Sequence, residues 1–249
     1  VLCEKPLAMD EDDSREIMRI MHQAGLPLYT GFCYRFSPVA QQIKSLAEVH
    51  AIGDIMSLRL IFIWNLHGKY EVVDGERVVA ARRHGRMLEG GPMVDCGTHQ
   101  IDLSRWWLQS EVISFSGHGA WLEDYEAPDH VWVHMTHDCG AHTMVEISYS
   151  YCHTIPEPRL QFSYELIGTE GLIRYDEKSA TFEARTKDGV ISYDAPYYKS
   201  FTGMYAAFAR ALRTGDPGGL ATGHDGIEAT RIARTATNQA IAERAALAG

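Results

Sequence analysis

Paired cysteines are missing from this 249-residue chain: its five thiols stand singly at positions 3, 33, 96, 139 and 152, with no C-x-x-C. An odd, scattered set excludes the disulfide framework of a small secreted domain and fits a reducing cytoplasm. There is no N-x-S/T sequon, and no apolar run reaches the roughly 20 residues needed to span a bilayer. Positive charge is also short, since 23 Lys and Arg face 33 Asp and Glu for a formal net charge of −10. An acidic body of this kind has no electrostatic footprint for DNA, RNA or anionic lipid, so nucleic-acid and membrane partners are not expected. Repeats and low-complexity segments are absent too, and the hydrophobic (45%) and charged (22%) fractions are those of a globular protein. Finally, no Met stands at position 1. Val1-Leu2-Cys3 reads as the middle of a buried strand with no signal peptide before it, so the chain is expected to open inside a domain whose beginning lies upstream.

What is present divides near Arg35. Val1-Leu2-Cys3 reads as a strand, and Asp10-Glu11-Asp12-Asp13 supplies the carboxylates of a helix N-terminus. Ile17, Ile20, Met21 and Ala24 recur at helical spacing, Gly25 suits the stop, and residues 28–33 read as a second buried strand. This is a βαβ fragment, the unit of a parallel sheet. Residues 39–49 read as a connecting helix. Long strands follow at 55–64, 112–121, 131–136 and 143–151, with a hairpin turn at Asp138-Cys139-Gly140. Shorter strands follow at 160–167, 172–175, 181–185 and 190–193. Helices are expected at 92–108, 204–213 and 225–244. Successive hairpins imply a mostly antiparallel sheet.

The strongest local signal for chemistry is Gly90-Gly91-Pro92-Met93-Val94-Asp95-Cys96-Gly97-Thr98-His99-Gln100-Ile101-Asp102. Asp95 and His99 are four apart, so an α-helix projects both from one face, and Gly97 between them leaves room for something to approach. A neutral imidazole suits proton transfer near pH 7, and a carboxylate can orient it or bind hydroxyls. Lys5, in Glu4-Lys5-Pro6-Leu7-Ala8, directly follows a strand, where parallel strands meet ligands; an ammonium there can stabilise an alkoxide. Taken singly, each feature has a plainer reading: a surface i,i+4 pair, or a lysine in a solvated loop.

Read together, "EKPLA" and, about ninety residues later, "GGPMVDCGTHQIDL" resemble the Gfo/Idh/MocA family of nicotinamide-dependent oxidoreductases. Tyr34-Arg35-Phe36-Ser37-Pro38, Ile167-Gly168-Thr169-Glu170-Gly171 and Thr222-Gly223-His224-Asp225-Gly226 agree with it. The resemblance implies NAD or NADP as cofactor and a catalytic group of Lys5, Asp95 and His99. His99 would take the proton of a substrate hydroxyl, Lys5 would stabilise its oxygen, and Asp95 would orient the substrate or His99. Glu4, Lys5 and Pro6 would lie along the nicotinamide ribose. One departure stands out. The Gly-rich pyrophosphate loop of a Rossmann domain is missing, the only G-x-G being Gly117-His118-Gly119 within the strand series. About three βα units, on the order of 90 residues, would be needed to supply it. This chain alone is therefore expected to bind NAD(P) poorly.

The expected fold is thus an α/β remnant, the closing βαβ of a Rossmann domain at residues 1–34. An α+β domain follows at 35–249, with a large open, mostly antiparallel sheet covered by helices on one face. The expected function is hydride transfer between NAD(P) and a hydroxyl or keto carbon of a sugar, an inositol-like polyol or a related compound in the cytoplasm. The resemblance further implies a homodimer or homotetramer formed through the open sheet, whose apolar face would need covering. Two alternatives are an NAD-dependent glycosidase of the same family and a non-catalytic sugar-binding or regulatory subunit. Substrate contacts are expected from Arg35, Arg83, Arg86, Asp95, His99 and Tyr149. His67, Lys69, Arg77, Arg82 and His84 share the basic stretch at 66–89, read mainly as a solvated loop bordering the pocket. His130, His134, His137, His142 and His153 match no zinc spacing, so no metal is expected. Trp106-Trp107 reads as core, and Tyr151 and His153 as possible pocket residues.

Overall fold

The computed structural model describes residues 1–64, 70–150, 160–194 and 196–249. Its first unit is set by local chemistry. Asp10 accepts a hydrogen bond from the Asp13 amide at 2.9 Å, and three carboxylates fill the first turn of α1 (Glu11–Gln23). Gly25, just past the end, takes the left-handed φ of +65° that stops a helix. α1 connects two parallel strands, β1 (Leu2–Cys3) and β2 (Tyr29–Thr30). β2 is shorter than the sequence suggests. The amides of Phe32 and Cys33 bond back to the carbonyls of Thr30 and Gly31, and a 3-10 turn, Cys33–Phe36, follows. The third strand of this small sheet, β13 (Ala221–Thr222), comes from far along the chain and lies antiparallel on β2.

Ser37 caps α2 (Pro38–Glu48), accepting from the Ala40 amide, with Pro38 at the first helical position. The large sheet then builds from β3 (Ile55–Ile63), β6 (Val112–Ala120), β7 (His130–His137), β8 (His142–Ser148), β9 (Gln161–Gly168), β10 (Leu172–Asp176), β11 (Thr181–Thr186) and β12 (Gly189–Ser192). Its eight strands run in the order β12-β11-β10-β9-β3-β8-β7-β6. All neighbours are antiparallel except β3 and β8, which pair in parallel, so the sheet is mixed. The parallel pair arises because the segment carrying the site helix leads from β3 to β6 at the sheet edge, and β7 and β8 then return antiparallel until β8 lies beside β3. Tyr151 and His153, expected at the end of β8, lie outside the described residues, as do His67 and Lys69.

Over its described residues the basic stretch is not a loop. Residues 70–88 form a hairpin, β4 (Tyr70–Val73) and β5 (Glu76–Val79), followed by α3 (Ala81–Leu88). Asp74 and Gly75 both take positive φ at the turn, which makes Asp-Gly between Val-Val pairs a strong hairpin signal. The helix expected at 92–108 is present, but it opens with a π turn, Met93–Gly97, before α4 (Thr98–Leu108). α5 (Phe201–Thr214) and α6 (Gly223–Ala248) close the chain, α6 with a reciprocal capping box between Thr222 and Asp225.

The two sheet faces differ. Leu58, Leu60 and Phe62 of β3 join Phe162, Tyr164, Leu166, Val145 and Ile147 in one core with the helices. On the opposite face Arg59, Glu165, Arg174 and Glu183 stand in register across four strands. That row is charged, so the expectation of an apolar open face does not hold for this part of the sheet. Gly117 and Gly119 are explained by packing: a Cβ on Gly117 would come within 2.2 Å of the Ala236 carbonyl oxygen on α6. The G-x-G is thus where α6 lies on β6. Gly117→Ala should therefore destabilise the fold by about 1–3 kcal/mol, read as a lower urea midpoint with an unchanged slope. A midpoint equal to the parent's would show that the helix can move aside. Among the described residues no helix is long and apolar enough to cross a membrane.

Candidate active site

The sequence signals converge where the small sheet meets the large one. A cavity of about 480 Å³ is lined by Glu4, Lys5, Tyr34, Arg82, Arg86, Asp95, His99 and Lys199, among others. Lys5 arrives at the end of β1, and its Nζ donates to Asp95 Oδ1 at 2.9 Å and to the Asp95 carbonyl at 2.5 Å. The other carboxylate oxygen accepts from the Tyr149 hydroxyl at 2.5 Å, with Arg86 Nε 3.8 Å away. Burial works against the Asp95 charge, yet Lys5, the Tyr149 hydrogen bond and Arg86 outweigh it and hold the carboxyl below its ordinary pKa. Asp95 stays ionised and fixes the ammonium.

The π turn explains why Asp95 and His99 do not form the i,i+4 pair that an α-helix would give. It widens the backbone ladder by one residue between them, as such turns often do at functional sites. Asp95 therefore reaches Lys5 and Tyr149, while His99 enters the aromatic core. Among the described residues Asp95 makes no hydrogen bond to His99, so its orienting action falls on Lys5. The His99 ring lies flat on Tyr34, centroids 3.9 Å apart and 2° from parallel, and meets Phe32 edge-on at 5.6 Å. Its Nδ1 is sealed in the core without a hydrogen-bond partner among the described residues, while the ring lines the cavity. Burial, then the charges of Lys5 and Lys199, push its pKa well below the ordinary value. At neutral pH the imidazole is uncharged.

The neighbouring thiols are not nucleophiles. Burial pushes Cys96 up to about 12 and Cys33 up to about 11. Tyr149 contributes through Asp95, and Cys96 Sγ lies 3.7 Å from its hydroxyl.

Three expected substrate contacts are corrected: Tyr149 is fully buried outside the cavity lining, its hydroxyl spent on Asp95, and two arginines are committed elsewhere. Arg35 is buried and grips Asp102 with two hydrogen bonds of 2.8 and 2.5 Å, and it lies 3.5 Å from Asp225. Arg83 is fully buried: it donates to Glu123 at 2.6 Å, to the Tyr149 carbonyl at 2.9 Å and to Ser150. Both are needed where the interior holds carboxylates, and neither lines the cavity. Pro6 is also outside the lining, whereas Glu4 is at it. Lys199 and Tyr198, between β12 and α5, were not foreseen, because an aromatic pair and a lysine ahead of a helix cap carry little signal alone. Trp107 is core, donating to the Ala40 carbonyl at 3.0 Å. The strand histidines go to other uses. His137 bonds Thr143, His130 bonds Glu146, and His134 stacks on His142. Among the described residues no three His, Cys, Asp or Glu side chains gather as a metal would require.

Together these features define an α/β chain in which a lysine after the small sheet's β1 meets a carboxylate and a neutral histidine of the helix packed on the mixed sheet, all at one cavity. The family model of the GFO/IDH/MocA C-terminal domain matches residues 40–174, and the chain belongs to that family. It is 27% identical over 253 residues to the oxidoreductase YrbE of Bacillus subtilis (strain 168), covering 95% of this chain and 67% of YrbE. It is 28% identical over 180 residues to the scyllo-inositol 2-dehydrogenase (NAD(+)) of the same organism, covering 70% of this chain and 47% of that enzyme. The fold also matches that of an inositol dehydrogenase homolog from Azotobacter vinelandii, solved with NADH and myo-inositol. There the TM-score is 0.78 at 16% identity, over 96% of this chain and 69% of the other. The chain thus spans about half to two thirds of the length of these relatives.

Proposed function

We propose that the protein containing this chain is an NAD(P)-dependent oxidoreductase of a CH–OH group on a sugar, polyol or related compound. The observation that carries this reading is the meeting of Lys5, Asp95 and an uncharged His99 at one cavity, from elements far apart in sequence. The names of the relatives support it. Residues 1–34, with their parallel β1-α1-β2, are read as part of the cofactor-binding region, and residues 35–249 as the substrate-binding unit. The donor set fits a nicotinamide partner: an ammonium and a proton acceptor stand together, and the nearby thiols are protonated.

When bound, the nicotinamide supplies the two-electron acceptor for hydride. His99 receives the hydroxyl proton at Nε2, the nitrogen not sealed in the core, with its own hydrogen on Nδ1. Lys5 lies beside the substrate oxygen and stabilises its developing negative charge. Asp95 holds the ammonium through its carboxylate and carbonyl, and Tyr149 holds the carboxylate. Tyr34 fixes the plane of the imidazole. The reading includes a homodimer or homotetramer formed through the uncovered sheet face. Its alternating Arg59, Glu165, Arg174 and Glu183 would suit a self-complementary, two-fold interface.

The test is a screen of sugars and polyols with NAD+ and with NADP+, run on the full-length protein and followed at the absorbance of the reduced cofactor. Saturable reduction by at least one compound is expected, and it should disappear in Lys5→Met. Sugar release from glycosides with no reduced cofactor accumulating would replace this reading by a glycosidase.

A further inference from the structure

Resting on the oxidoreductase reading, we infer that the substrate carries an anionic group, carboxylate or phosphate, received by Arg82, Arg86 and Lys199. The chain as a whole has a net charge of −10, yet this cavity is lined by four cations and two carboxylates: Lys5, Arg82, Arg86 and Lys199 against Glu4 and Asp95. Lys5 and Asp95 satisfy each other at 2.9 Å. Arg86 is shared between Glu89 at 2.6 Å and Asp95 at 3.8 Å. Arg82 and Lys199 have no carboxylate partner among the described residues. Cations facing a common cavity repel one another, and an anion between them removes that repulsion and adds charge-assisted hydrogen bonds.

Lys199 is half-buried at the cavity, and Arg82 borders it from an exposed position on α3. Arg82 and Arg86 are four apart on α3 and share one side of it. The rotation of α3 is set by Arg83, whose guanidinium is buried on Glu123, Ser150 and the Tyr149 carbonyl, with Asp129 at 3.8 Å. The same Tyr149 holds Asp95, so one anchor places both the anion-facing helix and the carboxylate that fixes Lys5. On the α5 side, Lys199 stands over the rings of Tyr34 and Tyr198 at 5.8 and 5.4 Å, and Tyr34 is the ring stacked on His99. An anionic group reaching Lys199 would thus lie next to the proton acceptor. A neutral polyol would want acceptors for its hydroxyl protons, but Asp95 is committed to Lys5 and Tyr149, which leaves Glu4 as the remaining carboxylate of the lining. The redox balance is unaffected: the carbinol carbon gives hydride to the nicotinamide and its proton to His99, and the anionic group is unchanged.

The experiment compares matched compounds on the full-length protein with NAD+ and NADP+: D-glucuronate against D-glucose, D-gluconate against D-glucitol, and D-glucose 6-phosphate against D-glucose. An anionic member should have at least tenfold higher kcat/KM than its neutral counterpart. Arg82→Gln and Lys199→Gln should each cut that preference about tenfold, mainly through KM. The pair that responds identifies carboxylate or phosphate. Equal rates for neutral and anionic members overturn the inference and leave the oxidoreductase reading standing. So does a pattern in which the variants weaken NAD(P)+ binding but keep the preference. If none of these compounds reduces the cofactor, the broader screen decides the oxidoreductase reading, and calorimetry with the same three anions decides this one. Binding lost in Lys199→Gln supports it, and absence of binding overturns it.

Discussion

His99→Asn should lower the rate of alcohol oxidation by roughly 10²–10⁴-fold, the range supplied by a positioned general base. The size follows from how completely the structure commits this ring. Stacking on Tyr34 and the edge of Phe32 hold its plane, and burial with Lys5 and Lys199 keeps it uncharged. Because its pKa lies well below 6.5, the base form is already complete at pH 6.5. The oxidation rate should therefore stay level as pH falls through 6.5, then decline only further into acid. In the reductive direction the protonated ring is the reactive form, so that rate should rise as pH falls. The asparagine variant should lose both dependences. Folding must be followed in parallel, since below pH 6.5 the unfolded chain takes up a proton that folded His99 resists, which lowers stability. A folded H99N enzyme within tenfold of the parent rate would remove His99 from the proton-transfer role.

Much of the architecture was legible because each element carried its own local signal. Asp10 with its following carboxylates marked one helix start, and the structure caps that helix as written; the caps at Ser37 and at Thr222 with Asp225 emerge only in the structure. The strand series and the Asp138-Cys139-Gly140 turn are found within a residue or two of their expected places, except that the strand expected at 143–151 ends at Ser148. What escaped was non-local. The pairing of β3 with β8 depends on a crossover, and the third strand of the small sheet comes from residues 221–222. No short window contains either fact. The candidate site behaved in the same way. Lys5, Asp95 and His99 were readable from motif and spacing, whereas Lys199 reaches the cavity only through the fold. The arginines show the limit most clearly. Arg83 and Arg86 sit three apart in one basic run, yet one is sealed against Glu123 and the other borders the cavity. Charge in a sequence does not tell which guanidinium will meet an internal carboxylate.

The largest effect on stability is expected at Arg35, where Arg35→Ala should cost about 3–5 kcal/mol, the usual penalty for stranding one partner of a buried ion pair. Asp102 is fully buried, and desolvation raises its pKa in spite of the guanidinium beside it. Burial likewise opposes the charge of Arg35, but Asp102 and Asp225 more than offset this and raise its pKa. The pair is therefore held at the edge of balance, and the carboxylate cannot stand alone. Asp225 is less exposed to the loss, because Arg105 reaches it at 3.1 Å and the Thr222 cap also binds it. The network spans the 3-10 turn after β2, α4 and the start of α6, so it joins the small sheet to the large one. For a chain of this length the change should lower Tm by roughly 6–20 °C. The double replacement Arg35→Leu with Asp102→Leu removes both charges and should recover a substantial part of the loss, since well-packed apolar residues often replace a buried pair without penalty. Equal destabilisation in the single and double variants would show that the guanidinium matters for its packing over Trp106, 5.6 Å away, more than for its charge. The measurement separates a charge held for registration of two sheets from one that merely fills space.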